Sequence, residues 1–258
     1  MAAPPGPARP RSVRALAERV RADFEAFVNA PDFSCLGARA ALHHDAYRFG
    51  AYGAMGSGDA TAALARDLAA FAGAHADDDF ATFVAVFLDA PPATEAEFEA
   101  RLWATLRALH AADAGAGWDP AVSDDPDDPH FSFSFGGRAF FIVGLHPESS
   151  RAARRFGWPA LVFNPHAQFQ RLRADGRYGR LRETIRAREI ALQGTLNPNL
   201  GDFGEESEAR QYSGRAVEPG WRCPFHHGGS PSGASPVTED GASADVQAAS
   251  PRSHAPGR

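Results

Sequence analysis

The 258-residue sequence contains no lysine, only two cysteines and no apolar run of membrane-spanning length. Each absence narrows the chemistry. Without lysine there is no side-chain amine to form a Schiff base, and every permanent side-chain cation is an arginine. Cys35 and Cys223 cannot build a disulfide framework, so a reducing, cytoplasmic setting is expected. The opening MAAPPGPARPRS lacks the apolar stretch of a secretion signal, and the chain is expected to be soluble and unexported. G-x-G-x-x-G, Walker, H-E-x-x-H, C-x-x-C and G-x-S-x-G patterns are missing. That removes dinucleotide, zincin and hydrolase-elbow readings. A net charge of −6 argues against a general binder of nucleic acid or of an anionic membrane surface, either of which would want a basic face.

What remains is an ordinary globular composition with 44% hydrophobic residues. Residues 1–11 and 228–258 are expected to be disordered, the latter Gly/Ser/Pro/Ala-rich and without aromatics. A single domain over 12–227 is expected between them. Val13, Leu16, Val20, Phe24 and Phe27 recur at helical spacing, with Ser12 as a cap. Tyr47–Tyr52 alternates like a strand, and Asp59 opens a second helix. FATFVAVFL (residues 80–88) reads as a buried strand. Thr94 and Glu97 form a capping box for a helix carrying Phe98, Leu102, Leu106 and Leu109. Phe131, Phe133 and Phe135 alternate with serines, turn at Gly136-Gly137 and return through Ala139–Leu145 as a hairpin. A short helix capped by Ser149 or Ser150 follows, then a strand at Ala160–Phe163. Helical patterns run around Ala167–Leu172 and Arg177–Leu192. The order predicts an α+β fold: a mixed, largely antiparallel sheet with helices packed on it.

The stretch GLHPESSRAARRFGWPALVFNPH (residues 144–166) gathers histidines, prolines and arginines at the ends of two apolar strands, which is where sites are commonly built. His146 ends a strand. It could ligate a metal or haem iron, or simply bond a nearby backbone group. His166, after Asn164-Pro165, suits a helix-capping or dipole role. Arg151 falls on one helical face with Arg154 or Arg155; their forked donors suit carboxylates, or a solvated surface. Cys35, at a helix start, is either a thiol of lowered pKa or a small buried apolar residue. Cys223 with His226 and His227 resembles part of a metal site, or a C-terminal docking piece. Glu148, Asp202, Glu205, Glu206 and Glu208 could face a cationic substrate.

SCLGARAA, GLHPESSRAARRF, LVFNPHAQFQRLR, GTLNPNLGDFGEESEARQYSG and WRCPF, taken in this order, resemble the bacterial YqcI/YcgG family over about residues 30–227. Within it they are most similar to the haem-dependent N-hydroxylases of guanidine compounds. Those include arginine hydroxylases of natural-product pathways and a guanitoxin-biosynthesis enzyme. The resemblance implies a b-type haem (iron), molecular oxygen, and N-hydroxylation of arginine or an arginine-derived guanidine in a biosynthetic pathway. By the same resemblance His146 becomes the leading axial ligand, with Cys35 the competing one, a thiolate that would favour O–O cleavage. Arg39, Arg151 and Arg155 become candidates for the propionates. Asn164 becomes a candidate for hydrogen bonding at the haem or substrate. Glu148, or one of Glu205, Glu206 and Glu208, would hold the guanidinium. No flavin or nicotinamide fingerprint is present, so electrons would come from a separate reductase or small donor. A homodimer is compatible with the aromatic-rich sheet. The alternatives are a peroxide-using haem enzyme or one acting on another nitrogen substrate, a non-catalytic haem carrier or sensor, and a small protein with a structural metal at Cys223 and His226 or His227.

Overall fold

The computed structural model describes residues 10–75, 80–113 and 115–225, with the side chains of 10–12 left out. Most of the sequence expected to be tail, and His226 and His227, lie outside the described residues. Helix α1 spans Pro10–Asn29 and α2 Leu36–His43; β1 is Tyr47–Tyr52, α3 Gly58–Ala74, β2 Thr82–Phe87 and α4 Glu95–Ala112. Then come β3 (Phe133–Phe135), β4 (Arg138–Leu145), β5 (Ala160–Pro165), α5 (His166–Ala174), α6 (Arg177–Gln193) and α7 (Ala209–Tyr212).

The five strands form one sheet in the order β1-β2-β5-β4-β3. Only β1 and β2, linked through α3, run parallel; the other pairs are antiparallel. The protein is therefore α+β with a mixed, largely antiparallel sheet. The hairpin turns as expected: Phe135 pairs with Arg138, and Gly136 and Gly137 have φ of 61° and 70°. A two-residue loop with both φ positive matches the twist of the strands. Strand β2 is buried along its whole length, as the unbroken apolar run required of a strand covered on both faces.

Each face has its own core. Phe83, Ala85 and Phe87 of β2 pack with Leu161 and Phe163 of β5 beneath α3 and α4. Val84 and Val86 point the other way, to Val20, Phe24 and Val28 of α1. The capping box is present: Thr94 Oγ1 accepts from Glu97 N–H at 3.1 Å, and the Glu97 carboxylate accepts from Ala93 N–H at 2.7 Å.

Three local expectations need correction. Helix α1 starts at Pro10, not after a Ser12 cap, because proline suits the first helical position; Val13 on it is exposed. The cap of α3 is Ser57, whose side chain accepts from Ala60 N–H, and Asp59 lies one residue inside the helix. No helix follows Ser149 and Ser150; a single 3₁₀ turn forms at Ala152–Arg154 instead. Among the described residues, no helix is long and apolar enough to cross a membrane.

Candidate functional site

Strands β4 and β5 are antiparallel neighbours, so β5 ends beside the start of β4, with Pro165 opposite Phe140, and the chain leaves β5 through Pro165 straight into α5. Helices α5 and α6, the start of α2 and the segment 200–211 surround a cavity of about 240 Å³. Its wall is mostly apolar: Phe80, Phe141, Val143, Phe169, Leu172, Leu181, Ile185, Leu200 and Phe203. Set into it are Cys35, Asn164, His166, Gln168 and Glu208, with Arg173, Arg182 and Arg186.

His166 is the first residue of α5 and only 3% exposed. Its ring lies against Phe203 at 4.6 Å between centroids, and neither ring nitrogen has a hydrogen-bond partner. Burial, aided by the charge of Arg173, lowers its pKa to about 4, so it is neutral at physiological pH. Nδ1 faces Glu208 Oε2 at 4.0 Å. Glu208 is buried, and its Oε1 accepts from Ser132 Oγ at 2.5 Å and Tyr212 O–H at 2.8 Å. Burial outweighs both bonds and raises its carboxyl to about 7. Two titratable groups shifted in opposite directions within one pocket make it a candidate functional site.

Cys35 is the N-cap of α2 without a side-chain capping bond, and the nearby N–H groups of Gly37 and Ala38 favour its thiolate. Burial nonetheless raises its pKa. This corrects the expectation of a lowered thiol: desolvation outweighs the helix terminus. The guanidinium of Arg154 is near enough to oppose that rise. Asn164 lines the cavity but serves the sheet. Its Oδ1 accepts from Thr82 Oγ1 at 2.6 Å, and its Nδ2 donates to Phe141 O at 3.2 Å.

The arginines on the wall differ in their engagement. Arg182 pairs with Asp202, as does Arg186 at 3.8 Å. Arg173 lies over the rings of Tyr178 at 4.5 Å and Phe203 at 5.6 Å. Cation–ring contact of this kind orients a guanidinium without consuming its donors.

The remaining candidates from the sequence do not line this cavity. His146 is fully buried, stacked on Phe98 at 4.2 Å, and burial lowers its pKa to about 4. Both its ring nitrogens lack partners, so the backbone-bonded alternative fails for its side chain too. Arg151 turns inward: Nη2 donates to Glu189 at 2.5 Å and to Thr195 O at 2.6 Å. Arg155 Nε donates to Ser149 O at 2.9 Å. The helical face that was to align these arginines does not exist, because the chain makes only the 3₁₀ turn. Arg39 is half-buried on α2, and Glu148, Glu205 and Glu206 are exposed. Cys223 is buried among aromatic residues with its thiol raised to about 12. Among the described residues no group of three potential metal ligands is found.

Sequence reasoning passed over His166 as a capping residue, together with Arg173, Arg182, Arg186 and Gln168. The signal was present in NPHAQFQRLR: His166, Phe169 and Arg173 fall at i, i+3 and i+7, on one helical face.

The described YqcI/YcgG family model matches residues 24–226. YqcI of Bacillus subtilis (strain 168), described as uncharacterised, is 30% identical over 135 residues, 50% of this chain and 53% of its own length. YcgG of the same organism, described in the same way, is 29% identical over 136 residues with equal coverage. The matched region thus spans about half the length of these curated relatives. No solved structure matches the chain.

Proposed function

Because the chain belongs to the YqcI/YcgG family, we propose that the cavity binds a b-type haem and that the protein N-hydroxylates a guanidine such as arginine. The observation that carries this reading is the donor set. A thiol and an unpartnered imidazole, Cys35 and His166, share one apolar cavity with arginines. An apolar wall suits a macrocycle, sulfur or imidazole nitrogen suits iron, and guanidinium suits carboxylate side arms.

When bound, the haem supplies the activation of oxygen. The chain's own residues do the rest. Cys35 would hold the iron as thiolate: the metal charge would override the burial that keeps the free thiol protonated, and the nearby N–H groups of Gly37 and Ala38 would favour the anion. Arg182 and Arg186 would receive the propionates in exchange for Asp202, with which both now pair. Glu208 takes the guanidinium of the substrate. A cation beside it pulls its raised pKa back down and restores the carboxylate. His166, neutral and uncommitted, hydrogen-bonds between Glu208 and the reacting nitrogen. The overall change would insert one oxygen atom into the N–H bond and release the other as water, with two electrons from a separate donor and two protons. His146 and Glu148 have no part in this scheme, and Asn164 acts as a strand clamp.

The test is an absorption spectrum of protein expressed with haem precursor, followed by mass analysis after incubation with arginine, reductant and O₂. A Soret band, its loss or shift in Cys35→Ala but not in His146→Phe, and a product heavier by one oxygen atom are expected. No band after reconstitution would sink the haem reading. A band that survives Cys35→Ala and disappears in His146→Phe would return the ligand to His146. A band without turnover would leave a carrier or sensor.

A further inference from the structure

We propose that Trp221, Trp103 and Tyr212 form a relay that passes single electrons between the protein surface and the cavity, draining an oxidant held there when substrate fails to react. The purpose of the relay rests on the oxidising function proposed above; its geometry does not.

Tryptophan and tyrosine are the side chains most open to one-electron oxidation at a ring, and the sequence holds four of each. Three of these eight stand in line. Trp221 is partly exposed, with its ring centroid 6.3 Å from that of Trp103. Trp103 is fully buried and stacked on Tyr212 at 5.7 Å and 25°. Tyr212, also fully buried, reaches the cavity wall twice: its phenol donates to Glu208 at 2.8 Å, and its ring lies 5.8 Å from that of Phe141. Tunnelling falls off steeply with distance, so hops between touching rings outpace one long transfer.

A phenol yields an electron readily only when its proton has an acceptor, and Glu208 is in place to be one. One electron leaves Tyr212 for the oxidant, and the phenolic proton moves to the Glu208 carboxylate. Trp103 then returns an electron to Tyr212, and the proton comes back from Glu208. The hole now on Trp103 cannot be trapped by proton loss, because its Nε1–H is buried without an acceptor. Trp221 fills it and is itself reduced at the surface by a thiol or ascorbate. The oxidant gains one electron and the outside reductant loses one. Arg210, 5.8 Å over the Trp221 ring, is itself paired with Glu206 at 3.5 Å, which moderates its effect on the exit site.

The relay is tested on the full chain without haem, by flash photolysis with a dissolved ruthenium polypyridyl oxidant. In the wild type a tryptophan-radical absorbance should decay as a tyrosyl signal rises. Tyr212→Phe should abolish most of that rise, and Trp103→Phe should slow it several-fold. Trp221→Phe, at a partly exposed position, tests the entry step without disturbing the buried core and should lower the yield several-fold. A full tyrosyl yield in Tyr212→Phe would assign the radical to Tyr47, Tyr52 or Tyr178 and overturn the proposal; unchanged kinetics in both tryptophan variants would do the same. In haem-loaded chain treated with peroxide, Tyr212→Phe should bleach the Soret band several-fold faster, and equal bleaching would overturn the protective role. A chain that takes up no haem would defeat the functional reading, and the flash result would still stand by itself.

Discussion

Acidifying the protein from pH 6.5 to 4.5 perturbs His146, His166 and Glu208 in opposite directions, and one substitution separates them. The imidazoles of His146 and His166 are lowered from 6.5 to about 4. Their unfolded forms bind protons that the folded forms refuse. Stability is thus unpenalised above pH 6.5 and falls as the pH drops towards 4. Glu208 is raised from 4.5 to about 7. Its folded form binds the extra proton, so its burial costs most above pH 7 and nothing below 4.5. Between pH 4.5 and 6.5 two histidines and one glutamate compete, leaving a net loss of about 1.4 kcal/mol per pH unit on acidification. Glu208→Gln deletes the opposing group while its amide oxygen still accepts from Ser132 and Tyr212. The slope should then roughly double, to about 2.7 kcal/mol per unit. Urea unfolding followed by tryptophan fluorescence across this range reads the slope directly, with a constant m-value as the control. Coincident slopes in the two proteins would refute Glu208 as a buried proton-binding group. A flat profile in Glu208→Gln would refute the burial of both imidazoles.

Arg151→Ala should cost about 3–5 kcal/mol, because it strands the Glu189 carboxylate with which Arg151 is buried; adding Glu189→Gln should recover part of the loss in urea midpoints. Gly144→Ala would place a methyl 2.5 Å from the Phe98 ring and 2.9 Å from Tyr212 O. It should destabilise by about 1–3 kcal/mol, and a neutral urea midpoint would show that Phe98 is not fixed against β4. A chromogenic disulfide reagent should label Cys35 in the folded chain more slowly than in urea, since Cys35 meets the cavity but its thiol is raised. Cys223, fully packed, should react only on unfolding; labelling of Cys223 in the native protein would contradict its packing.

The sheet was legible wherever periodicity and turn chemistry agreed. Tyr47–Tyr52, the run in β2, the Gly136-Gly137 hairpin and the Thr94 box all announce themselves through local rules. The site was not legible in the same way, because its members are brought together by the sheet order. Cys35 and Glu208 meet one cavity although the whole sheet lies between them in the chain. His146 and His166 look alike in sequence, each closing an apolar strand. What separates them is which element follows: a tight turn that buries His146 on Phe98, against a helix that sets His166 at a cavity wall. The arginines misled for a related reason. A run of Arg near Ser149 reads as a helical face, but the chain makes one 3₁₀ turn, and Arg151 spends its donors on the end of α6.

Helix α6 buries a single residue of its seventeen, Glu189, a charged one. Its ties to the rest are polar: Arg188 donates to the carbonyls of Pro31 and Phe33, and Arg182 pairs with Asp202. Its apolar residues Leu181 and Ile185 face the cavity. A helix earns most of its stability from the apolar face it packs, so any apolar molecule that binds there becomes the hydrophobic core of α6. Occupancy and the rigidity of this helix are then one linked equilibrium. The slowest amide exchange in α6 would report how full the pocket is.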